Sequence, residues 1–274
     1  MNFLTHPVII LTLLTVSFST GKSHAQTPER IDLTAFPGEI VKDVVIPIPA
    51  EIFAVLDKVG EPDWENAIIH VKTDMGVKDR GFLAMSFGSL VAEGFIAVQA
   101  ESSDDIQKIG RRSLEFAEAL GLENAVKQHS LTVIDSAKDN QWNRVRAELD
   151  KTQQTVRNTM DQQRDQEISG LVSLGGWLRG TNVLTGLIAD DYTVDKAELL
   201  NQPDLVLHFR ELIAGITGPI RTTREMVEIE TGLGRIDAMM RENERFSVDV
   251  VKKLHRITTG MLEQFYFDAG AEKE

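Results

Sequence analysis

Apolar residues recur three and four positions apart along most of this chain, which puts them on one face of successive α-helices. Ile52, Val55, Leu56 and Val59 form the first such stripe, with Pro49 suited to a first-turn position and Gly60 to a C-cap. Asp63 opens a second segment that runs through Ile68 and Ile69. Ile106, Ile109, Leu114, Ala117 and Leu120 mark another, ended by Gly121, and Leu122, Ala125, Val126, His129 and Val133 the next. Asp139 to Gln166 is long and polar, with Trp142, Val145, Leu149, Val156 and Met160 on a stripe narrow enough to predict packing by one edge. Asp190, Asp191 and Asp195 bracket a turn. Asp204 to Ile216, Pro219 to Met240 and Phe246 to Phe267 follow, the last carrying Val250, Leu254, Ile257, Met261 and Phe265 on one face. The pattern predicts an all-α fold, an antiparallel bundle of about eight or nine helices.

Two stretches break the amphipathic rule. Phe82 to Ala100 is apolar on every side except at Ser86, Ser89, Glu93 and Gln99, and Ile168 to Ala189 has Arg179 as its only charge. Helices apolar all round belong at the centre of a bundle. Ala84, Gly88 and Ala92, spaced by four, predict a smooth face on which another backbone approaches closely, and Gly170, Gly175, Gly176, Gly180 and Gly186 leave little bulk on the second helix. A charge buried alone costs several kcal/mol, so Glu93 and Arg179 are expected to pair.

Ahead of the helices, residues 26–49 hold Pro28, Pro37-Gly38, Pro47 and Pro49 around Ile40-Val41 and Val44-Val45-Ile46. Prolines at that density oppose a helix. With no second strand-like run to pair with, this segment is predicted to be an extended N-terminal arm laid over helices and not a sheet. Met1 to Ala25 combines an apolar run, Val8 to Phe18, with a small-residue ending Ser23-His24-Ala25, the pattern of a cleaved secretory signal, although no Lys or Arg precedes the run. The expected organisation is a signal peptide at 1–25, the arm at 26–49, a single helical domain at 50–268 and a tail at 269–274.

Composition narrows the functions. Removing residues 1–25 takes away one lysine and no acid, so the net charge moves from −13 to −14. A surface of that sign repels phosphate backbones, which argues against nucleic acid as a partner. With no cysteine, disulfides, thiolate metal sites, iron-sulfur ligation and lipid attachment through cysteine are all excluded. Phe82 to Ala100 is long enough to cross a bilayer, but Glu93 at its middle argues against an integral span after signal cleavage. The location expected is periplasmic or secreted.

Catalytic and metal motifs are scarce. None of His70, His129, His208 and His255 has Glu three residues before it, as a di-iron bundle requires, and Asp190, Asp191 and Asp195 lack calcium-loop spacing. Asp204, His208 and Glu211 share a helix face with oxygen, nitrogen and oxygen donors, yet a solvated face explains them equally well. Gly170-Leu-Val-Ser173-Leu-Gly175 has one residue too many for a nucleophile elbow. No catalytic residue, metal site or cofactor is therefore assigned. The candidate ligand-binding residues are Glu93 and Arg179, with Ser86 and Ser89 on one side and Asn182 on the other, as a structural ion pair or as the lining of a polar pocket.

Pro47-Ile-Pro-Ala-Glu-Ile-Phe-Ala-Val-Leu56 and Ser173-Leu-Gly-Gly-Trp177-Leu-Arg179-Gly180 resemble segments of an uncharacterised family of exported all-helical proteins of Gram-negative bacteria. The resemblance spans Pro47 to Phe209, and Arg179 departs from the acidic residue common there. It implies an exported location and a helical fold, and brings no activity, cofactor or site residue. Two functions follow as expectations: a non-enzymatic exported protein that binds a protein partner or small-molecule ligand or serves a structural role, or a hydrolase or lyase using Glu93 as general acid or base with Arg179.

Overall fold

A computed structural model describes residues 39–41, 44–46, 49–69 and 79–267, and these belong to one compact unit. The signal segment 1–25, most of the arm and the tail at 269–274 lie outside the described residues. Among those described, nine helices have eleven residues or more: α1 (Pro49–Val59), α3 (Arg80–Gln99), α4 (Ser103–Leu120), α5 (Glu123–Lys138), α6 (Trp142–Gln163), α7 (Gln166–Asp190), α9 (Pro203–Gly215), α10 (Arg224–Glu242) and α11 (Val248–Leu262). Two single-turn helices, α2 (Trp64–Ala67) and α8 (Val194–Glu198), complete an all-α bundle.

The helix boundaries follow local chemistry. Asp79 caps α3 by accepting from the backbone N–H of Gly81 at 2.8 Å, and Ser102, Thr193, Thr223 and Ser247 cap α4, α8, α10 and α11 in the same way. Gly121 ends α4 at φ +78°, a left-handed conformation that glycine adopts without a Cβ penalty. Two boundaries in the last third of the chain differ from expectation, the start of α10 and the end of α11. Pro219–Thr222 forms a separate 3-10 turn, because Thr223 is extended where it caps α10. The last helix stops at Leu262, and the chain continues in tight turns whose Tyr266 and Phe267 amides both donate to the Leu262 carbonyl.

The arm also differs from expectation. Glu39–Val41 (β1) and Val44–Ile46 (β2) form an antiparallel hairpin with Ile40 opposite Val45, and β2 lies against α9. The reading as an arm and not a sheet took the β-branched residues as one run. Their two halves, separated by Lys42 and Asp43, pair with each other.

Successive long helices from α3 to α7 reverse direction at each short connection, so four reversals bring α7 back parallel to α3. The contacts rise together in both helices: Gly81 with Leu171, Met85 with Gly175, Glu93 with Arg179. A Cβ on Gly88 would stand 1.9 Å from the Val172 carbonyl oxygen, and one on Gly175 would stand 1.9 Å from that of Met85. The two backbones therefore touch, as the small-residue spacing predicts. Ser89 adds a hydrogen bond across this contact, donating to the Gly175 carbonyl at 2.9 Å. On the far side of α7, α11 runs antiparallel, with Asn182 beside Thr258 and Thr185 beside His255. Among the described residues α3 is long and apolar enough to cross a bilayer, and 89% of that stretch is buried inside the fold.

Gly88→Ala and Gly175→Ala are each expected to cost about 3 kcal/mol or more, because the obstructing atoms are backbone and the helices must part. Gly180 on α7 has nothing within 4 Å of its would-be Cβ, so Gly180→Ala should stabilise by about 0.5–1 kcal/mol. Urea unfolding of the three variants measures the contrast.

Candidate functional site

The expected pair forms at the middle of the α3–α7 contact. The Arg179 Nε–H donates to Glu93 Oε1, with Glu93 0% and Arg179 1% exposed. The other guanidinium groups reach outwards: Nη1 donates to Asn182 Oδ1 at 3.1 Å and Nη2 to the Ala67 carbonyl at 2.6 Å. Glu93 Oε2 accepts from the Ile69 backbone N–H at 3.2 Å, so the exit from α2 is held by both members of the pair. Asn182 passes the network to α11, its amide donating to Thr259 Oγ1 at 2.8 Å and Thr258 Oγ1 at 3.2 Å. The Phe267 ring covers the guanidinium with its centroid 5.8 Å from Cζ. Burial pushes the Tyr266 hydroxyl well above the ordinary tyrosine range, the Glu93 charge pushes it further, and Arg179 opposes the rise.

Of the five residues singled out from the sequence, Glu93, Arg179 and Asn182 meet in one network. Ser86 and Ser89 do not join it: Ser86 donates to the Phe265 carbonyl at 3.0 Å and Ser89 to Gly175, each fastening another backbone to α3. A buried serine facing a carbonyl ties its helix to another backbone segment and does not line a pocket. Asp204, His208 and Glu211 are not brought together as a metal-binding group, and no such group of three occurs among the described residues. His208 instead lies against the Phe209 ring at 5.6 Å. His129 is half-buried between α5 and α6, 2.6 Å from Glu148 and 3.1 Å from Thr155 Oγ1.

An open site lies elsewhere. Where the α1–α2 turn, the end of α3 and the start of α6 meet, a surface cleft of about 830 Å³ has Trp64 and Trp142 in its wall together with Asp57, Glu61, Asp63, Glu65, Glu101 and Arg146. None of the five central residues lines it. Arg146 organises one wall: it bridges both Asp57 oxygens at 3.2 Å, donates to Gln99 Oε1 at 2.5 Å and lies 4.4 Å over the Phe53 ring. Gln99 completes the triangle by donating to Asp57 at 2.9 Å. Partial burial pushes the Asp57 carboxyl up, but the hydrogen bonds from Arg146 and Gln99 and the Arg146 charge outweigh it and hold it below its ordinary value.

Comparison with protein-family models, curated proteins and solved structures finds no match to this chain. The site's chemistry therefore rests on its own geometry. The sequence reading missed the cleft because its residues come from three separated segments, 57–65, 98–101 and 142–146. Trp142, a large aromatic at the start of an otherwise polar helix, was the available signal, and was taken as part of that helix's packing edge.

Replacing Arg179 by Met leaves a buried carboxylate without its cation and should cost about 3–5 kcal/mol, whereas the double change Glu93→Leu with Arg179→Met should recover most of that loss. Denaturant unfolding of both variants checks it. Asp57 titrates lower in the folded state than in the unfolded chain, so its contribution to stability is present above the unfolded value and is lost as pH falls through the folded one. Asp57→Asn should therefore flatten the acid limb of the stability curve measured by thermal melts from neutral pH downwards.

Proposed function

We propose that this is an exported, periplasmic or secreted, non-enzymatic binding protein, and that its ligand or partner docks in the cleft formed by Trp64, Trp142 and Arg146. The observation that carries this reading is the cleft itself, which has the volume of a small-molecule or peptide-segment site and joins aromatic faces to polar groups. Five carboxylates stand in its wall against one guanidinium, which is already engaged by Asp57. Such a lining suits a positively charged ligand with an apolar body, held by the half-buried Trp142 indole, behind which Trp64 is 7% exposed, and by long-range attraction. The acidic chain supports the exclusion of nucleic acid, and the signal-like pattern in residues 1–25 supports export.

The alternative, a hydrolase or lyase built on Glu93, requires a reactant within hydrogen-bonding reach of the carboxylate. Against it stand the complete burial of Glu93 and the donors on both of its oxygens.

Native mass spectrometry of the mature protein, purified gently from its own compartment, should reveal an added mass that denaturation releases. The variant Trp142→Ala with Glu101→Gln should lose it while keeping its melting temperature. In parallel, tryptophan emission should respond to a lysine-rich peptide, with an affinity that falls as salt rises. A bare mass together with unchanged emission would remove the cleft as the functional site.

A further inference from the structure

The large cleft does not end at Trp142. A second hollow of about 420 Å³ adjoins it, and Glu101, Trp142 and Asn143 stand in the walls of both. Together the two exceed the range of about 300–1,000 Å³ that suits a drug-sized molecule, so the space fits a longer ligand. Their linings differ. The first is rich in carboxylates, whereas the second is made largely of carboxamides, Asn140, Gln141 and Asn143, beside Arg144, which donates to Gln141 Oε1 at 3.2 Å. A carboxamide both donates and accepts, as the main chain of a peptide does. A linear polyamine brings donors and no acceptor, and Arg144 repels it.

Glu101, at the junction of the two hollows, is exposed and ends α3 at φ +50°. The Glu101 and Ser102 amides donate to the Val98 and Ala97 carbonyls, as those of Gly121 and Leu122 donate to Glu118 and Ala117 at the end of α4. Asparagine tolerates this left-handed conformation, which suits Asn140 at φ +55°, but a glutamate there is strained and a glycine would make the same turn at lower cost. Of the other carboxylates in the wall, Asp57 is bound by Arg146 and Asp63 accepts from the Asn66 amide, while no ion pair or hydrogen bond engages Glu101 among the described residues. A carboxylate held at a strained position, uncommitted and sharing a wall with an indole, is the group available to an incoming cation.

On the reading that the cleft is the binding site, we propose that its occupant is an extended basic peptide segment. A lysine or arginine side chain lies against Glu101 and the Trp142 indole, and the peptide main chain continues along the carboxamides of the second hollow.

The test is titration of the full mature chain, followed by tryptophan emission, with N-acetyl-lysine methylamide, with spermidine, and with blocked Lys-Ala peptides lengthened to about six residues, a span of about 20 Å. Affinity should rise about tenfold or more along the peptide series, and spermidine should bind no better than the single lysine. Glu101→Gly should weaken every lysine probe about tenfold while raising the melting temperature by about 2–4 °C, and Asn143→Ala should weaken the longest peptide about fivefold. A flat length series overturns the proposal, as does spermidine binding as tightly as the longest peptide or a Glu101→Gly chain that keeps its affinity. Native mass spectrometry of Trp142→Ala with Glu101→Gln tests the cleft separately. An added mass that depends on the cleft, with no response to any probe, removes this inference alone; loss of both removes the cleft as well.

Discussion

The structure depends on placing one carboxylate and one guanidinium out of reach of bulk solvent. Neither charge is tolerable there alone, and their attraction compensates for lost hydration only when the remaining donors and acceptors also find partners. Each unmet group therefore recruits a segment: Ala67 and Ile69 from the exit of α2, Asn182 and through it Thr258 and Thr259 of α11, and the Phe267 ring from the C-terminal turn. A two-residue interaction thus sets the positions of elements at both ends of the described chain. Mutual support of this kind makes a polar network specify a single arrangement.

The glycine contact and the ion pair constrain each other. Gly88 and Gly175 let the α3 and α7 backbones meet, and that closeness holds Arg179 within reach of Glu93. A slip of one turn would shift one helix by about 5.4 Å and separate the charges, which have no other opposite charge on either apolar stretch. Apolar packing alone would tolerate such a slip better, since both helices are apolar on nearly every side. The charged pair fixes a register that hydrophobicity leaves loosely defined.

The sequence was most legible where a single physical rule acted alone. Period and capping residues located the long helices, small-residue spacing located the backbone contact, and the cost of an isolated charge located the partner of Glu93. It was less legible where the outcome depended on tertiary choice. Whether Val44-Val45-Ile46 paired with Ile40-Val41 or lay flat on helices turned on a two-residue connection. Ser86 and Ser89 were read as pocket lining because a polar residue on an apolar helix signals either a ligand or a backbone tie, and only the position of the neighbouring carbonyls distinguishes them. The cleft left no sign beyond Trp142, since its walls come from segments that share neither a period nor a motif.

The parallel course of α3 and α7 bears on how the molecule assembles. Ser89 meets Gly175, and Glu93 meets Arg179, across 86 residues of chain in each case. Between them α4, α5 and α6 pack as near neighbours in sequence, contacts that form early because their loops are short to close. Until α7 arrives, α3 has α4 on one side and its Gly88 face uncovered, the part of the chain most prone to stick to other chains or to a bilayer. Closing that loop of 86 residues brings one central helix onto the other, and the acidic composition that repels like chains is at its most useful before it closes.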